Sequence, residues 1–219
     1  MIRDIEDAID YLRRFHRSLH PDPRMDASRI PADLPRPLFR LYEELGELVE
    51  MDARVTRRRA PFAAQDGVLP LGRLKRTGGF IEFAGDNQGN WSARCAAGEL
   101  DPAVYTDAGE DGSGSEEFSV VAQSVSDFLI TLCLQEAALS APFCFSINAP
   151  PAEALAAKCV PLWIDGATAL TGFRQSFYEV PGEEVIVMNN GSTWVGSYSS
   201  SADGLIKLGV SRQRMHNEW

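Results

Sequence analysis

Apolar positions along the chain change texture about a third of the way in, from helical spacing to alternation. Ile2, Ile5, Ile9, Leu12 and Leu19 recur at helical intervals with charges between them. That spacing predicts an amphipathic helix ended by Pro21. A proline-rich stretch follows, and Pro37 suits the first turn of a second helix with Leu38, Leu41, Leu45 and Leu48 on one face. Gly46 offers a cap to the first half of that helix.

Beyond about Val68 the pattern is that of strands. Phe80 to Ala84 alternates, Trp91 to Cys95 can form its partner, and the Gly- and Asn-rich run from Gly85 to Asn90 has hairpin composition. Ala103 to Tyr105 reads as a third strand. Asp107 to Glu117, with five acids and three glycines, reads as an exposed flexible loop before a short strand from Phe118 to Ala122. Ser124, with Asp127 three residues on, opens a helix in a capping-box-like way, and Phe128, Leu129, Leu132 and Leu139 bury it.

The last third is mixed. Ala152 to Lys158 suggests a short helix. Phe173 to Tyr178 and Val185 to Met188 flank a Pro181-Gly182 turn. Asn190-Gly191, between Val185–Met188 and Thr193–Tyr198, is the strongest short hairpin signal in the chain. Asp203-Gly204 leads to Leu205 to Val210, which would complete a meander. Helices combined with antiparallel hairpins, rather than regular alternation, indicate an α+β fold: an antiparallel or mixed sheet of hairpins packed against several helices.

Composition narrows the function. With 31 acidic against 21 basic residues the formal charge is −10, which disfavours nucleic acid and suits solubility or docking onto a basic partner. Arg54 and Arg57-Arg58-Arg59 form the one basic cluster of note, read as a solvated helix end or loop. The four cysteines are widely spaced without a C-x-x-C pair, so reduced thiols and a cytoplasmic setting are expected. The charged N-terminus resembles no secretory signal, and no segment is apolar for long enough to span a membrane.

Chemistry-bearing motifs fail one by one. No Gly-x-Ser-x-Gly elbow occurs, and His16, His20 and His216 give a nucleophile few candidate bases. His16 and His20 are four apart, but Pro21 follows at once, so two surface histidines near a helix end are expected rather than a zinc pair. Asp107, Asp111 and Gly112 match parts of a calcium loop, whereas Gly109 and Phe118 occupy positions that need oxygen ligands. Glycine clusters lack the Lys-Ser/Thr ending of a phosphate-binding loop. Carboxylate pairs could do acid–base work, but 31 acids nominate no particular pair. The chain is therefore read as a non-enzyme without metal or cofactor.

Three pieces, taken in order, resemble the SUKH superfamily of Smi/Knr-like cell-wall regulators and bacterial immunity proteins. They are Ile30 to Pro35 leading into Leu38, Leu41, Tyr42 and Gly46; the run from Phe80 to Trp91; and Asp101 to Tyr105 with the acidic loop and the helix bearing Ser126, Phe128 and Leu129. The resemblance covers residues 30–139, with 140–219 as a C-terminal extension of the same single domain spanning 1–219. It implies an α+β domain without a universal catalytic centre, often encoded beside a toxin that it neutralises by binding. The partner would be a protein, such as a basic nuclease domain, with no nucleic acid or membrane involved; the alternatives are a regulatory or scaffold module with a host partner and, behind it, a carboxylate- or metal-dependent enzyme. Candidate contact residues are Asp86, Asn87, Asp107, Glu110, Asp111, Glu116 and Glu117, with Asp86 and Asn87 equally readable as turn-formers.

Overall fold

A computed structural model describes residues 1–20, 22–51, 61–108, 114–147, 157–164, 166, 174–190 and 193–197. The first helix, α1 (Ile5–Phe15), starts where the Asp4 carboxylate accepts the Asp7 N–H at 2.9 Å, and buries Ile5, Ile9, Leu12 and Phe15. The second, α2 (Arg36–Val49), has Pro37 in its first turn and buries Leu38, Leu41, Leu45 and Leu48, as the spacing predicted. Gly46, however, lies inside α2 rather than capping its first half. A Cβ there would stand 2.8 Å from the Met25 Cβ, and the Pro23–Met25 segment stitches onto the helix through Met25 N–H to the Glu43 carbonyl and Glu47 N–H to the Pro23 carbonyl, both 3.0 Å. Glycine is therefore selected by the close approach of another segment.

The third helix, α3 (Val125–Ser140), is apolar nearly all round and buried on every side, which marks a central rather than a surface helix. Its N-cap is as expected: Ser124 Oγ accepts the Asp127 N–H at 3.0 Å. It touches α1 and α2 and lies against both sheets of the fold.

The first sheet comprises β1 (Asp66–Val68), β2 (Lys75–Thr77), β3 (Phe80–Asp86), β4 (Ser92–Ala96), β5 (Val104–Ala108) and β6 (Gly114–Ala122). Its order is β1-β3-β4-β5-β6, with β2 sharing the β1 side of β3. The second sheet comprises β7 (Phe143–Ile147), β8 (Val160–Trp163), β9 (Ser176–Glu179), β10 (Val185–Asn189) and β11 (Thr193–Ser197), in the order β7-β11-β10-β9-β8. Every pairing among the described residues is antiparallel. The architecture is α+β.

The expected hairpins at 80–96 and 185–197 form, with Gly85 opposite Ser92 and Asn189 opposite Thr193. Gly182 takes the positive φ of 77° that the Pro181-Gly182 turn requires. The 107–117 stretch is not one long loop. Asp107 belongs to β5 and Glu117 to β6, and the two strands pair as far as Ala108 opposite Gly114. Most of the short helix at 152–158 and all of the strand at 205–210 lie outside the described residues.

Candidate functional site

Antiparallel order decides which turns are neighbours. Since β3 and β5 run one way and β4 and β6 the other, the β3–β4 and β5–β6 connections fall at the same end of the first sheet. Side chains fix this end. The Asp86 carboxylate accepts the Asn90 N–H at 2.6 Å, the Asn90 Nδ2–H at 2.9 Å and the Trp91 N–H at 3.4 Å, while Gly89 adopts φ 76°. Asp107 reaches across from β5, accepting the Ser92 N–H and, at 3.1 Å, the Ser92 hydroxyl. Asn87 donates its N–H to the Gln65 carbonyl at 3.0 Å and its Nδ2–H to the Ala64 carbonyl at 3.3 Å.

Of the seven residues nominated from the sequence, Asp86, Asn87 and Asp107 are thus gathered at one sheet end: Asp86 holds the 86–91 turn, Asn87 ties it to residues 64 and 65, and Asp107 ties β5 to Ser92. Glu117 is exposed on β6. Glu110 and Asp111 lie outside the described residues, and so does the side chain of Glu116.

Behind this end lies a buried polar network that the sequence reading missed. Glu136, on α3, is fully buried. Its carboxylate accepts three successive backbone N–H groups, from Ala64 at 2.5 Å, Gln65 at 3.0 Å and Asp66 at 3.1 Å. Gln135 Nε2 donates to Asp66 Oδ2 at 2.6 Å and more distantly to Glu136 Oε1 at 3.4 Å. Gln175, just before β9, donates in turn to Gln135 Oε1 at 2.6 Å. One chain of hydrogen bonds therefore runs from the first sheet through α3 to the segment entering the second. Burial, and then the neighbouring Asp66, push the Glu136 carboxyl up to about 8 against the pull of its three N–H donors. Burial raises Asp66 to about 6, opposed by the Gln135 hydrogen bond. The signal available in the sequence was the Gln135-Glu136 pair interrupting an apolar run.

His16 departs from the expectation of a surface histidine. It is 1% exposed, edge-on to Phe15 and Phe62, and burial lowers its affinity for a proton to a pKa of about 3. Phe62, far away in sequence, supplies the cover. His20 instead lines a groove of about 520 Å³ with Arg13, Arg14, Arg17, Arg24 and Glu44. Spacing along α1 and the return of the proline-rich segment assemble this basic cluster, whereas Arg54 and Arg57 to Arg59 lie outside the described residues. The groove is largely self-compensated: Arg13 pairs with Glu44 and Asp10, Arg17 with Glu184, and Arg24 with Asp22.

Among the described residues no group of three His, Cys, Asp or Glu side chains is placed to hold a metal ion. No helix among them is long and apolar enough to cross a membrane. No family model, curated protein or solved structure matches the chain.

Proposed function

We propose that this chain is a non-catalytic, cytoplasmic protein-binding domain, specifically an immunity protein that binds and neutralises a cognate toxin. The supporting observation is the turn end of the first sheet, where Asp86 holds the β3–β4 turn and Asp107 ties β5 to Ser92 beside it. A turn already held by its own hydrogen bonds before encounter loses little entropy on binding. The formal charge of −10 adds attraction for a basic partner such as a nuclease domain. The ordered resemblance to SUKH immunity proteins over residues 30–139 points the same way. Among the described residues, the carboxyls that burial shifts upward, Asp66 and Glu136, are 5% and 0% exposed, which favours the outside of the molecule as its working part.

Co-expression with the product of the adjacent gene tests this reading. The expected result is rescue of growth and a stoichiometric complex that survives purification. Neither rescue nor complex would reject the immunity role. Recovery of housekeeping proteins from the native cell would instead identify a regulatory module.

A further inference from the structure

One row of side chains crosses four strands of the first sheet. Glu82 stands opposite Arg94, Arg94 opposite Tyr105, and Tyr105 opposite Val120. The residues flanking Arg94 in β4, Ala93 and Cys95, are fully buried, as are Ile81 and Phe83 beside Glu82 in β3. Phe83 meets Phe128 of α3 edge-on, so these flanking positions face the core. Successive side chains of a strand point to opposite faces, which puts the Arg94 row on the outer face of the sheet. Val120 is 50% exposed there.

The Arg94 guanidinium lies over two rings, 4.7 Å from the centre of Phe80 and 3.4 Å from that of Phe118. Phe80 in turn meets Tyr105 edge-on at 5.9 Å. Aromatic faces attract a cation, but they accept none of its five N–H groups in the way an oxygen does. The carboxylate directly opposite, that of Glu82, is engaged by Lys75 at 2.7 Å. No ion pair among the described residues includes Arg94. Of its nitrogens only Nε is buried without a hydrogen-bond partner, which leaves the terminal N–H groups open to an acceptor from outside.

We propose that this outer face docks a segment of a partner protein that sets one carboxylate on Arg94 and apolar side chains on Val120 and the surrounding rings. A carboxylate takes two parallel N–H bonds from a guanidinium, and the pair strengthens where neighbours exclude water. Arginine and aromatic residues are also the types that dominate binding energy at protein interfaces. Rings already hold this guanidinium, so little side-chain freedom is left to lose on binding. The formal charge of −10 repels an acidic run at long range, which selects a single carboxylate in an apolar setting. Recognition here is opposite in sign to that proposed for the turn end and does not rest on it.

Titration of the full chain with two pools of blocked hexapeptides tests the assignment. One pool carries a central glutamate among apolar and hydroxyl residues, and the other has glutamine in its place. Proton–nitrogen NMR follows the Arg94 Nε–H, which burial shields from water, together with the Tyr105 and Val120 amides. The glutamate pool is expected to shift all three saturably and to bind at least about tenfold more tightly than the glutamine pool. Arg94→Gln should abolish the shifts of the two amides. Should that variant not fold, Val120→Glu, at an exposed position, should do the same by placing a negative charge on the face. Arg24→Gln, in the α1 groove and paired with Asp22, should leave binding unchanged. A glutamate pool without saturable shifts, equal binding of both pools, binding that survives Arg94→Gln (or Val120→Glu in its place), or an equal loss in Arg24→Gln would each overturn the proposal.

Discussion

Replacing Glu136 by alanine is expected to cost about 3–5 kcal/mol of stability, because it strands several donors at once. Three backbone N–H groups, at Ala64, Gln65 and Asp66, lose their acceptor together, and the Asp66 bond is wholly buried. The deleted side chain also leaves a void beside a fully packed helix, which adds a cavity cost. Glu136→Gln should be milder, since one oxygen still accepts, but its new N–H₂ faces donors. Urea unfolding at neutral pH measures both: the alanine variant should show a lower midpoint with an unchanged slope. A loss below about 1 kcal/mol would mean that the three N–H groups find other partners, and the buried network would have to be redrawn.

Gly196→Val is the second large effect. A Cβ at Gly196 would stand 2.2 Å from the carbonyl oxygen of Ala138 and 2.8 Å from its Cα, both backbone atoms of α3. No side-chain rotation relieves such contacts. Strand β11 is held between β7 and β10, so it cannot slide away without breaking ladders on both sides. The expected loss is about 3 kcal/mol or more, at or beyond the upper end of ordinary overpacking. Gly72→Ala is the matched control, because nothing lies within 4 Å of a Cβ there. Equal thermal stability of Gly196→Val and the control would contradict the close seating of α3 on the second sheet.

These two sites mark the boundary of what could be read from residue order. The amphipathic helices α1 and α2, the β10–β11 pairing and the Pro181-Gly182 turn are local features, so their periodicity and dihedral demands are visible in the sequence. Strand β8 was hidden by Pro161, which demotes a short apolar run. It survives at the edge of its sheet, where a register shift accommodates the proline. Strand β7 is a five-residue run whose pairing partner, β11, lies 46 residues on, counted from Ile147 to Thr193.

The candidate site was legible in part. Asp86 and Asn87 are readable both as contacts and as turn-formers; Asp86 accepts the N–H groups of the turn, whereas Asn87 bonds to the Ala64 and Gln65 carbonyls outside it. Asp107 was placed in a loop by composition, but its bond to Ser92 depends on β5 lying beside β4. Glu136 could be singled out only as a polar break in an apolar run, because a glutamate in a helix shows nothing of the three N–H groups some 70 residues earlier that surround it. Its neighbours only become neighbours once α3 is packed between two sheets.

If Glu117 and the other acids of the 107–117 stretch steer a basic partner, their removal should act on encounter more than on dissociation. Stopped-flow association with the cognate toxin domain should therefore be compared for the wild type and for a variant with Glu110, Asp111, Glu116 and Glu117 changed to their amides, leaving Asp86 to hold the β3–β4 turn and Asp107 its bond to Ser92. At low salt the variant should associate about tenfold or more slowly, with a flatter dependence on ionic strength and a dissociation rate close to the original. Identical association rates and salt slopes in the two proteins would contradict a docking role for this end of the sheet.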